Sequence, residues 1–192
     1  MEAPDSLVKA GKVCALGASE MYAYQLHNME IVAEHDGWTP FASMQCHYNL
    51  LYHEDERELL PVCRHYNTAI TPYSPLASGH LARREWHSNS ERWKTDEIMK
   101  LKYDSGRDQS MIIVSRVAEL ADKRGMPMSD IALAWLYARG ATAPIVGCSK
   151  PSRVDDAVRA LGVQLTSDEV AYLEEPYIAR PVTGPIPRPD GS

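Results

Sequence analysis

Short apolar runs alternate with stretches of helical periodicity from Lys12 onward. The first run, VCALGA from Val13 to Ala18, lacks polar alternation and ends in small residues, the pattern of a parallel strand covered on both faces. The next stretch, MYAYQLHNMEIVAEHDG, sets Leu26, Met29 and Ala33 at helical spacing and stops at Gly37, which suits a helix C-terminus. A second unit repeats the order: FASMQ (Phe41 to Gln45) predicts a strand, HYNLLY a loop, and EDERELLPVCRHYN a helix whose acidic first turn the helix dipole favours. TAITPY, from Thr68 to Tyr73, begins a third unit. Helical spacing returns with Ile113, Val117, Leu120 and Ala121, and again with Ile131, Ala134, Trp135 and Ala138. APIVGC, from Ala143 to Cys148, predicts the last strand, with Gly147 near its end. Two helices follow: PSRVDDAVRAL, with proline in its first turn, and TSDEVAYLEE, which opens with the capping-box pair Thr166 and Glu169.

Between the third strand and the next helical pattern lies a charged, helix-poor excursion from His80 to Asp108, too long for an ordinary connection and read as a functional lid. The end, RPVTGPIPRPDGS, is proline-rich and predicts a loose tail over residues 181–192, leaving one domain over residues 1–180. Four strand-helix units in succession fit an open doubly wound sheet or part of an eight-stranded barrel, and periodicity does not choose between them.

Composition narrows the partners. With 192 residues, 44% of them hydrophobic, the chain can bury one ordinary domain core. A net charge of -6 argues against nucleic acid or an anionic membrane surface, which select stripes of Lys and Arg, and leaves small molecules or proteins. Cys14, Cys46, Cys63 and Cys148 lack metal-ligand spacing, and the N-terminus lacks a basic segment followed by an apolar one, so the expected setting is the reducing cytoplasm. Cys46, His47 and Tyr48 are adjacent, but neighbours on a strand point to opposite faces, which prevents Cys-His pairing. Cys63 and His65 have no matching ligand pair for zinc, HEDERE reads as a solvated helix start, and no phosphate-cradling glycine loop is present.

VKAGKVCALGASEMYAYQL, SMQCHYNLLY, PYSPLASGHL, ALAWLYARG, PIVGCSKPSRVDDAV and YLEEPY, in that order, resemble the C-terminal half of an aldo-keto reductase of the aryl-alcohol-dehydrogenase-like branch. The resemblance implies strands five to eight, with their helices, of a (β/α)8 TIM barrel that reduces aldehydes or ketones with NADPH. It places the family's Asp, Tyr, Lys and His catalytic set on the first four strands, ahead of the matching segment, so no catalytic residue is expected among these residues. On the same basis Ser19 and Gln45 match residues that hold the nicotinamide carboxamide, the Asn that usually follows the former being Glu20 here. Tyr73 matches the aromatic that stacks on the nicotinamide ring, and Ser74, Leu76 and Ser78 match pyrophosphate contacts. Ser149, Lys150 and Arg153 match the 2'-phosphate site, and Asp156 the acidic group near the adenine.

Residue chemistry alone supports part of that assignment. GCSKPSRV is a strand-to-helix turn whose free N–H groups and positive helix end face outward beside two cations, a setting for a phosphate monoester. Read without the resemblance, Lys150 and Arg153 are solvated charges, Tyr73 a core aromatic and Gln45 a hydrogen-bonded filler. Three functions follow as expectations: a truncated aldo-keto reductase retaining NADP(H) binding but inactive alone, a half-barrel binding protein completed by a second copy or another chain, and a non-redox isomerase or cyclase using a remodelled cleft. A half barrel also predicts exposed strand edges at Val13 to Ala18 and at Ala143 to Gly147, an apolar inner face, and a homodimer unless the excursion or the tail covers that face.

Overall fold

The computed structural model describes residues 1–87 and 102–182. Helix α1 (Glu2–Lys9) comes first and ends in a turn through Gly11, in which both Lys12 N–H and Val13 N–H point to Leu7 O. Val13 and Cys14 are spent on that turn, so strand β1 covers Leu16–Ser19 instead of the expected Val13 to Ala18. Helix α2 (Ala23–Asp36) ends as its sequence predicts, with Gly37 left-handed at φ 67°. Strand β2 is Phe41–Gln45, as expected.

The predicted helix after β2 is two pieces, a 3-10 turn at Glu54–Arg57 and helix α3 at Leu59–His65. Pro61 explains the break. Its ring collides with the carbonyl four residues earlier, at Arg57, and Glu58 leaves helical geometry at φ -139°. Strand β3 is only Ala69–Ile70, continued by an isolated parallel bridge between His47 and Tyr73.

The three strands form a parallel sheet in the order β1-β2-β3, joined by helical crossovers. Ala18, Met44 and Ile70 lie side by side in register and are all buried, pointing into the core that also holds Leu26, Leu60 and Cys63. The opposite face shows Gly17, Ser19, Ser43, Gln45 and Ala69, all exposed or half-buried. This corrects the expectation of an apolar inner face: the open face is small and polar. Gly17 is required there, since a Cβ would come within 2.8 Å of Ser43 Oγ.

The segment from Ala143 to Cys148 is not a strand. Thr142 N–H and Ile145 N–H donate to Ile70 O and Pro72 O, both at 2.8 Å, so the segment lies along β3 in the parallel sense. The return bonds are missing, because Pro72 has no N–H and Ile70 N–H donates instead to Thr142 Oγ1 at 3.1 Å. A one-sided ladder results.

Further helices among the described residues pack around the sheet: α4 (Arg107–Arg124), α5 (Met128–Ala138), α6 (Pro151–Ala160) and α7 (Ser167–Glu174). Helix α5 is central, with Ile131, Trp135 and Leu136 fully buried. Helix α7 opens with the predicted capping box, Thr166 Oγ1 accepting from Glu169 N–H at 3.2 Å. Of the excursion, residues 88–101 lie outside the described residues, and so do 183–192 of the expected tail. The described ends of the excursion are core: Trp86 is 3% and Tyr103 1% exposed, and Trp86 Nε1 donates to Asp104 Oδ1 at 2.8 Å.

Candidate functional site

Where parallel strands end, backbone groups and side chains are free to meet a ligand. Ser19 and Gln45 are opposite each other at the ends of β1 and β2, and Tyr73 follows β3, its N–H donating to Cys46 O at 2.9 Å. The sheet thus gathers three residues singled out in the sequence at one edge, bordering the small polar face. Glu20 joins them. Its N–H donates to Gln45 O at 3.1 Å and its backbone is left-handed at φ 49°.

Tyr73 has two further neighbours that the sequence gives no reason to expect. Lys102, from the far end of the excursion, donates through Nζ to the Tyr73 hydroxyl at 2.6 Å and stands 4.4 Å from its ring centroid. His47 stacks on the other rings, 5.1 Å from Tyr73 and 4.3 Å from Tyr52, nearly parallel to both. Burial, followed by the charges of Lys102 and Arg180, lowers the His47 pKa to about 3, so the ring is neutral at pH 7. Its Nε2 meets Tyr103 Oη at 2.8 Å, while Nδ1 is buried with no hydrogen-bond partner. Burial and then Glu20 raise the pKa of Tyr73 well above its ordinary value.

Behind this edge Asn49 ties the loops together. Its Nδ2 donates to Ser74 O at 3.0 Å and to Tyr103 Oη at 3.1 Å, and its Oδ1 accepts from Leu51 N–H at 2.9 Å. Ser74 is held through its own Oγ, which lies 3.2 Å from Tyr103 Oη and accepts from Ser78 N–H at 3.2 Å. The turn has left-handed backbone at Ser74, Ala77 and Ser78, with φ between 47° and 55° at each. Non-glycine residues held there cost on the order of 1 kcal/mol apiece, and such strain persists where surrounding contacts over-determine it. Leu76 is half-buried, its side chain packing against the core.

The second expected group lies further along the same edge. After Ile145, bonded to Pro72, the chain reaches Ser149 and Lys150, the residue that caps α6, and Arg153 in its first turn. All three are exposed. Asp156 is engaged by Arg159 at 3.0 Å, and Arg159 also grips the buried Asp130 at 2.6 Å, so Asp156 belongs to the clamp between α5 and α6.

The acidic run is the main departure from the sequence reading. HEDERE is not simply a solvated helix start: Tyr48 donates to Glu56, Arg139 binds the same carboxylate at 3.1 Å, and Tyr177 Oη donates to Glu54 at 2.6 Å. The Asp55 carboxyl is pushed up to about 7 by burial, then by Glu20 and Glu54. Pro61, which breaks the helix, is the signal in the sequence that this run is not a plain helix start. Among the described residues no group of His, Cys, Asp and Glu could hold a metal ion, and Cys14, Cys46, Cys63 and Cys148 are all unbridged. His47 and Tyr48 lie beyond the end of β2 and meet different neighbours, His47 stacking on Tyr52 and Tyr73 and Tyr48 meeting Trp135.

A parallel sheet with crossover helices and polar residues at its C-terminal edge defines an α/β protein. Residues 1–178 match the model of the aldo/keto reductase family, and the chain belongs to that family. It is 46% identical over 184 residues to an aldo-keto reductase of Fusarium vanettenii, covering 96% of this chain and 50% of the relative. It is 39% identical to the versiconal hemiacetal acetate reductase of Aspergillus parasiticus, covering 95% and 53%. A Schizosaccharomyces pombe protein whose name places it with aryl-alcohol dehydrogenases is 41% identical, covering 97% and 52%. The chain spans about half the length of these relatives.

Proposed function

We propose that these residues form the C-terminal half of an aldo-keto reductase barrel, of the aryl-alcohol-dehydrogenase-like branch, and supply its NADP(H)-binding wall. The observation that carries the reading is the convergence of Ser19, Gln45 and Tyr73 at the ends of three adjacent strands. Gln45 offers a donor and an acceptor suited to a carboxamide, Tyr73 a ring suited to stacking, and the small residues Gly17 and Ser43 keep the face open. Lys150 and Arg153, exposed beside the start of α6, suit a phosphate monoester. When bound, NADPH supplies a hydride. This chain's own residues bind and orient: Gln45 and Ser19 fix the carboxamide end, and the Asn49 network holds the Ser74 to Ser78 turn in place for the pyrophosphate.

The residues that move the proton in this family are assigned by resemblance to other strands, so the part proposed for these residues is cofactor binding. The setting that fits is the reducing cytoplasm; among the described residues no helix is long and apolar enough to cross a membrane. Fluorescence titration tests the reading. NADPH is expected to bind more tightly than NADH, and Arg153→Ala to remove most of the difference, about tenfold for one lost charge-assisted contact. Equal affinity for the two cofactors, or no binding, sinks it.

A second reading has one observation in its favour. Lys102 Nζ donates to the Tyr73 hydroxyl at 2.6 Å while burial and then the charge of Glu20 raise the pKa of the same phenol, an ammonium and a carboxylate acting on one hydroxyl, which suits proton transfer without hydride chemistry, as in an isomerisation.

A further inference from the structure

We propose that Glu20 and Lys102 are opposed determinants of which redox form of the cofactor the chain prefers, Glu20 favouring NADP+ and Lys102 favouring NADPH; this rests on the nicotinamide reading of Gln45 and Tyr73. The two forms differ little in shape. They differ by one unit of charge on the nicotinamide ring, positive when oxidised and neutral when reduced, so fixed charges beside the ring tell them apart.

Glu20 is built into that position. Its N–H donates to Gln45 O at 3.1 Å and its backbone is held left-handed beside the two side chains assigned to the ring and its carboxamide, and its charge is felt at Tyr73, whose pKa burial raises and this charge raises further. Lys102 comes to the Tyr73 hydroxyl, at 2.6 Å, with its ammonium 4.4 Å from the ring centroid. The Asp55 carboxyl adds a further acidic group in range of Glu20. Residues in this cluster are half-buried, so their charges act through a medium less polar than water and reach a ring several ångströms away.

Opposite charges give the test a sign. Dissociation constants for NADP+ and NADPH are measured by calorimetric titration on the 192-residue chain, on Glu20→Gln and on Lys102→Met. Glu20→Gln is expected to shift the affinity ratio toward NADPH by about tenfold, and Lys102→Met to shift it toward NADP+ by several-fold, on the order of one charge at partial screening. A purely structural role weakens both forms alike and leaves the ratio fixed. An unchanged ratio in both variants, with both cofactors still bound, overturns the proposal while leaving the cofactor site intact. Failure of the parent chain to bind either form overturns the cofactor reading itself.

Discussion

Asp55 shows how far a single side chain departs from what its neighbours in the sequence suggest. Its carboxyl ionises at about 7 in the folded chain, burial being the largest cause, against about 4 when unfolded. Between those values the folded state keeps a proton that the unfolded state has released, so stability falls as pH rises from about 4 to about 7 and stays level above. The full shift corresponds to about 4 kcal/mol, and partial exposure reduces it to on the order of 2 kcal/mol. Asp55→Asn is therefore expected to exceed the parent in urea melts by that amount at pH 8 and to match it at pH 4. Equal stabilities at pH 8 would show that the carboxyl is solvated. Buried histidines bend the profile the other way: His47 and His53 have pKa values lowered to about 3 and about 4, chiefly by burial. The unfolded chain takes up their protons from about 6.5 downward, and stability is lost as pH falls below that point.

Among the elements, the segment after α5 is the informative one. Its apolar composition predicts a strand, yet the ladder to β3 is one-sided because Pro72 lacks a donor and the Thr142 hydroxyl takes the Ile70 N–H. The hydroxyl therefore does what a backbone carbonyl would do in a regular sheet. Thr142→Val keeps the shape and removes the acceptor, leaving the N–H of Ile70, a residue 3% exposed, without its partner. An unmatched buried donor costs about 1–3 kcal/mol. Hydrogen exchange on the variant should show the Ile70 amide losing protection ahead of Thr71, whose N–H donates to Met44 O at 2.9 Å in the middle of the sheet. Unchanged protection at Ile70 would mean that the Thr142 contact carries no weight.

For the molecule as a whole, edges matter more than faces. Among the described residues β1 pairs only with β2, and the outer side of the 142–147 segment has no strand beside it. Around the second edge Ile145, Val154, Val158 and Leu161 are 45% to 61% exposed. Unpaired parallel edges and an apolar rim favour association, and the simplest closed solution is a two-fold dimer in which β1 of one copy meets the last segment of the other. Light scattering over a concentration series is expected to show a dimer that Ile145→Lys dissociates. A stable monomer at micromolar concentration would exclude the two-fold barrel, and the polar open face, which tolerates water, is the feature that would allow it.

The sequence by itself determined the order of strands and helices, the parallel direction of the sheet, the stop at Gly37, the capping box at Thr166 and the family. These depend on local periodicity and on end chemistry, which neighbouring residues dictate. Pro61 and Pro72 each mark a place where a predicted element failed, the helix beginning at Glu54 and the strand beginning at Ala143, breaks that the periodicity did not foretell. Only the tertiary structure brought Lys102 to Tyr73, Asn49 to Tyr103 and Glu56 to Arg139, pairs separated by 29, 54 and 83 positions. It alone set the acidic run against Tyr48, Arg139 and Tyr177 and made the open face polar. Desolvation and partner choice depend on what packs against a side chain in space, and no periodicity along the chain records that.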